Sequence, residues 1–196
     1  MENEAGRGRT PGDSPLDRPM DVVIGMGANL GDPCGALRGA LVELARLGPL
    51  AGVSALYRTA PVGGPPQPDF LNAAVRLVFH GSPEALLGEA LRIERLAGRE
   101  RRVRWGPRTL DLDILWIRGA TVAVAGLVVP HPRLRERAFA LRPLIDVAPD
   151  AVDPADGVFY GDVLAGLNGE GIERLGTGWA GGADGQMSRG MDRPCP

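Results

Sequence analysis

The chain has 196 residues, 44% of them hydrophobic, with a formal net charge of -2 and a pI of about 5.7. This composition supports one buried core and excludes a disordered chain, while the near-neutral balance excludes any general attraction to nucleic acid or an anionic membrane. Only Cys34 and Cys195 are present, which makes neither a disulfide framework nor a metal centre and fits a reducing compartment.

Residues 1–19 are rich in Gly, Pro and charge without periodicity, and are expected to form a disordered arm ahead of a domain over 20–175. The start has no apolar h-region and no run reaches the roughly 18 apolar residues of a span, so a cytoplasmic protein without membrane partners is expected. DVVIGM (21–26) reads as a strand. CGALRGALVELARL (34–47) carries Leu37, Leu41, Leu44 and Leu47 on one helical stripe. VSALYRT (53–59) reads as a strand, followed by the stiff loop APVGGPPQPDF and a second strand, LNAAVRLVFH (71–80). Ser82 and Pro83 open a helix that runs to about Leu96 and stops at Gly98. TLDLDILWI (109–117) is a further strand, and TVAVAGLVV (121–129) a short hairpin. RLRERAFALRPLIDVA is helical and expected to break at Pro143. The stretch from Gly176 to the end is expected to be a flexible tail. The order β-α-β-β-α-β predicts an α+β, ferredoxin-like antiparallel sheet. Helices should cover one face, with a C-terminal hairpin and helix added and the other face open to ligands.

In a strand over 109–117, Leu110, Leu112 and Ile114 face the helices, while Thr109, Asp111 and Asp113 face the open side. Two carboxylates on one rigid face repel unless a cation lies between them, and Mg²⁺ prefers such hard oxygen ligands. An exposed polar face is the alternative. Seven arginines and two acids lie from Arg92 to Arg108, the last five of those arginines in the loop GRERRVRWGPRT that feeds this strand. All 22 basic residues are arginine, which excludes a Schiff-base lysine and the P-loop lysine. Any phosphate must then be held by guanidiniums, in their fixed bidentate geometry. An arginine loop beside paired carboxylates suits a polyphosphate, so the residues alone reach metal-dependent nucleotide chemistry. An RNA-binding module is disfavoured, because Asp111 and Asp113 occupy the face on which such modules stack bases. Another two-metal nucleotidyl enzyme, such as a cyclase, stays open. GMGANLG has the wrong spacing for a dinucleotide fingerprint, and its glycines read as turn and packing residues.

GRERRVRWGPRTLDLDI (98–114) closely resembles the signature of the 6-hydroxymethyl-7,8-dihydropterin pyrophosphokinases. VVIGMGANLGD (22–32), YRTAPVGGPPQPDFLNAAV (57–75) and VPHPRLRERAFALRPLIDVAPD (129–150) match further blocks in the same order. The resemblance implies a ferredoxin-like fold and transfer of pyrophosphate from ATP, as co-substrate, to the pterin hydroxymethyl group, with release of AMP. It implies two Mg²⁺ on Asp111 and Asp113, with Arg99 and Arg108 completing the catalytic set. Glu94, Arg101, Arg104, Trp105, Ile114, His131 and Arg137 match ATP-side positions. Thr59, Ala60, Val62, Phe70, Asn72, Trp105, Asp111 and Phe139 match the pterin side, with the two phenylalanines stacking on the ring. Ala60 and Pro132 stand where such sequences often carry proline and tyrosine. A monomer with no nucleic-acid partner is expected.

Overall fold

The computed structural model describes residues 19–99 and 106–181. Its elements are β1 (Met20–Ala28), α1 (Pro33–Ala45), β2 (Leu50–Val53), β3 (Leu56–Thr59), β4 (Phe70–Phe79), α2 (Pro83–Leu96) and β5 (Asp111–Ile117). A hairpin of β6 (Val122–Val124) and β7 (Leu127–Val129), then α3 (Ala138–Val147), α4 (Tyr160–Gly166) and β8 (Ile172–Gly176), complete the chain. The main sheet runs β5-β1-β4-β3-β8, with β2 also on β4, and its pairs are antiparallel. This is the expected α+β, ferredoxin-like arrangement with β8 added at the edge.

Local chemistry sets the helix starts. Asp32 accepts the N–H of Gly35 at 3.0 Å and Ser82 that of Ala85 at 3.2 Å, with Pro33 and Pro83 in the first turns. Strand alternation does the rest. Val22, Ile24 and Met26 of β1, Ala73, Val75 and Leu77 of β4, and Leu112 and Ile114 of β5 bury against α1 and α2. Residues of opposite parity, Val23, Ala74 and Leu115, meet α3 and α4 in a second core.

That second core corrects the expectation of helices on one face only. α3 and α4 cover part of the other face, and just one end of it stays open. The expected strand over 53–59 is two strands, because Ser54 and Ala55 leave the ladder. The Ser54 hydroxyl accepts the N–H of Ala74 at 2.8 Å, and Asp146 of α3 accepts the N–H of Ala55 at 3.0 Å. Pro143 does not break α3. Its missing N–H costs one bond within the helix, while Leu141, Leu144 and Val147 around it bury against the sheet. The tail expected from Gly176 is held as far as Gly181. Trp179 is 1% exposed within the first core, its Nε1 donates to the Ser54 carbonyl at 3.0 Å, and Arg38 Nε donates to its carbonyl at 2.7 Å. Cys34 is disulfide-bonded, where reduced thiols were expected; Cys195 and the arm over 1–18 lie outside the described residues.

Candidate active site

The open end of the sheet is a cavity of about 620 Å³ whose floor is read directly from the strand register. In β1, Gly27 pairs with Asn72 of β4 on one side and Asp111 of β5 on the other, and Gly25 pairs with Ala74 and Asp113. Two glycines on β1, between β5 and β4, therefore leave a trough between the carboxylates and Asn72. A Cβ on Gly27 would come within 3.1 Å of Asn72 Oδ1, and one on Gly25 within 2.9 Å of Leu115 Cδ1. The sequence reading treated these glycines as turn and packing residues. Their spacing of two, legible in the sequence, puts both on one face of β1, and the register makes it the face that carries the aspartates.

At the β5 end, Asp111 lies between two guanidiniums. Arg108 Nη1 donates to its Oδ2, and Arg99 Nη1 lies 2.6 Å from its Oδ1. Arg99 also pairs with Glu94, which is 3% exposed and accepts the Leu112 N–H at 2.8 Å. Burial raises the Glu94 carboxyl above its ordinary range, against the lowering by the Leu112 N–H and Arg99. Glu94 ties the free edge of β5, between the two aspartates, to Arg99. Burial also raises the Asp113 carboxyl, and Asp111 beside it adds to the rise; His131, Arg137 and Arg108 oppose it.

The roof comes from the segment between β7 and α3. Burial holds the His131 imidazole below its ordinary range. Its Nδ1 accepts the Arg133 N–H at 3.2 Å, which assigns the proton of the neutral ring to Nε2. Arg137, at the N-terminus of α3, lies 5.7 Å from the Phe139 ring centroid. Arg137 and Phe139 line the cavity with Arg108, Asp111 and Asp113.

The opposite wall is apolar and amide-lined. Phe70, Thr59, Ala60, Val62 and Asn72 line it, and Asn72 Nδ2 donates to Thr59 Oγ1 at 2.7 Å. That bond fixes the carboxamide and leaves its oxygen over the Gly27 floor. Asn168, Glu170 and Ile172, beyond the matched blocks, also reach this cavity, because β8 pairs with β3 in the register Thr59 to Ile172.

The structure thus brings Thr59, Ala60, Val62, Phe70, Asn72, Arg108, Asp111, Asp113, Arg137 and Phe139 around one cavity. Glu94 and Arg99 join it through Asp111; His131 does not line the cavity, but its charge favours ionised Asp113. Ile114 does not join by its side chain, which is 4% exposed in the core under the helices; only its backbone remains available. Arg101, Arg104 and Trp105 lie outside the described residues.

A ferredoxin-like sheet carrying paired carboxylates, guanidiniums and an aromatic-walled slot in one cavity defines a class: phosphate-handling enzymes that act on a small flat acceptor. Residues 23–149 match the family described as 7,8-dihydro-6-hydroxymethylpterin-pyrophosphokinase (HPPK). The 2-amino-4-hydroxy-6-hydroxymethyldihydropteridine pyrophosphokinase of Methylorubrum extorquens is 45% identical over 156 residues, covering 79% of this chain and 98% of that protein. That of Synechocystis is 43% identical over 152 residues, covering 74% and 76%. The HPPK-DHPS A437G structure of Plasmodium falciparum with pteroate shares the fold, with a TM-score of 0.63 at 15% identity. The match covers 82% of this chain and 47% of that one. The chain belongs to the HPPK family, and its activity is transfer of pyrophosphate to the hydroxymethyl group of 6-hydroxymethyl-7,8-dihydropterin in folate biosynthesis.

Proposed function

We propose that ATP enters the arginine end of the cavity and the pterin its phenylalanine end, so that transfer takes place over Asp111 and Asp113. The observation that supports this reading is the shared cavity: Arg108, Asp111 and Asp113 line it on one side, Phe70 and Asn72 line the opposite wall, and Phe139 stands beside Arg137 in the roof. Stacking between the rings of Phe70 and Phe139 holds a flat heterocycle, and the Asn72 oxygen faces its edge. The new bond joins the hydroxymethyl oxygen to the β-phosphorus. The bond from that phosphorus to the α,β-bridging oxygen breaks, AMP leaves with that oxygen, and the hydroxymethyl proton is released to solvent.

Asp111 and Asp113 are the residues that would hold two Mg²⁺. The donor set fits: both are hard carboxylates on one strand face, and magnesium commonly takes only one or two protein carboxylates when substrate phosphates supply the rest. Bound there, the ions would act as Lewis acids that offset the phosphate charge. Arg99, Arg108 and Arg137 neutralise the remaining oxygens, and His131 Nε2–H donates to phosphate. Arg101, Arg104 and Trp105 are assigned to ATP, with Trp105 also reaching the pterin, on sequence alone. The same reading has a cytoplasmic monomer without nucleic-acid or membrane partners. Because Cys34 is disulfide-bonded, the compartment rests on the intracellular substrates and not on the cysteines.

Incubating the protein with Mg²⁺, ATP and the hydroxymethyl dihydropterin, and identifying the released nucleotide, tests the proposal. AMP is expected. ADP would mean single phosphoryl transfer, released pyrophosphate a cyclase-type reaction, and no turnover would refute the function.

A further inference from the structure

Asn29 lies one residue past β1, is 3% exposed and does not line the cavity, yet it joins both banks of it. On the phosphate bank, its Oδ1 accepts the Arg108 N–H at 2.8 Å. The N–H groups of Asn29 and Leu30 donate to the Arg108 carbonyl at 3.0 and 3.2 Å. On the acceptor bank, its Nδ2 donates to Gln67 Oε1 at 3.0 Å and to the Pro68 carbonyl at 2.9 Å. Both carboxamide hydrogens and the carboxamide oxygen are therefore used. Among side chains of this size only a carboxamide offers two donors and an acceptor together. Arg108 lies three residues before Asp111, and Pro68 two before Phe70, so one buried group sets the spacing of the two substrate ends.

We propose that Asn29 is a positioning residue for the transfer step, a role that rests on the function proposed above. In-line transfer needs the hydroxyl oxygen about 3–3.5 Å from phosphorus, and a displacement of 1 Å can cost on the order of 10²-fold. The bonds of Asn29 hold backbone and Gln67, not substrate, so single-substrate affinity depends on the link far less than does the rate of transfer between the bound substrates.

Three full-length variants test this. Asn29→Ala removes all the side-chain bonds. Asn29→Asp keeps the acceptor for Arg108 but sets a carboxylate against the Pro68 carbonyl. Asn29→Ser keeps a hydroxyl acceptor near the Arg108 N–H and cuts the Nδ2 arms, the milder change if the other two do not fold. Dissociation constants are measured for a non-hydrolysable MgATP analogue alone and for the pterin alone, with kcat from AMP release. Both constants are expected to stay within about threefold of the parent, while kcat falls by about 10²-fold in Asn29→Ala and less in the others. Unchanged kcat, or a loss confined to the affinities, would overturn the positioning role. A parent protein that releases no AMP would overturn this inference together with the function beneath it.

Discussion

Asp113 is an acid whose surroundings hold it toward the neutral form. Burial and the neighbouring Asp111 both oppose its ionisation, and among its neighbours His131, Arg137 and Arg108 favour it. Asp113→Asn removes a repelling charge from a crowded site, so the melting temperature should hold or rise, while kcat should fall by at least about 10²-fold. Near-normal turnover would sink the metal assignment. Gly27 makes a different prediction. A methyl group there sits 3.1 Å from Asn72 Oδ1, on the floor where the ring would lie. Gly27→Ala should raise KM for the pterin several-fold with little change in KM for ATP, as read from initial rates at varied concentrations of each. Equal increases in both would show that the floor is shared and the division of the cavity wrong.

Among elements, the ends of β1, β4 and β5 are tied by charge. Asp21 accepts from Arg76 Nε at 2.7 Å, Arg76 Nη2 at 2.6 Å and Arg118 Nε at 2.8 Å, and Arg118 reaches Asp150 at 2.9 Å. The Arg76 hydrogen bond, followed by that of Arg118, holds the Asp21 carboxyl below its ordinary range despite partial burial. A carboxyl lowered in the folded state stabilises the fold above the unfolded range, and that contribution is lost as pH falls through the folded value. Asp21→Asn should therefore cost about 1–2 kcal/mol at neutral pH, with the gap to the parent closing in acid. Urea unfolding from pH 7 downward measures it; a gap independent of pH would show that the group acts by packing.

At the scale of the molecule, the chain closes on itself through Trp179. The segment after β8 returns to the first core, where the indole fills space beside α1 and donates to Ser54, and Arg38 of α1 holds its carbonyl. Trp179→Ala should destabilise the protein by about 3–5 kcal/mol, as for other buried aromatic truncations. The urea midpoint should drop accordingly, with kcat retained at low temperature. A midpoint within experimental error of the parent would mean that the segment only rests on the core.

Local pattern determined most of this protein. Alternation in LDLDIL put Asp111 and Asp113 on one face and the leucines on the other, because a strand has a period of two whatever surrounds it. Capping by Ser82 and Pro83 was equally local. Tertiary structure decided what depends on partners far along the chain. Pro143 stays helical because α3 is pressed on the sheet, Ser54 interrupts a strand because Ala74 and Asp146 bond that stretch instead, and Trp179 is buried because α1 and Ser54 receive it. Gly25 and Gly27 became a floor, and Asn29 a link, only when β4, β5 and two loops were brought beside them. Contacts between residues 20 to 125 positions apart have no signature in local periodicity, so folding alone could reveal them.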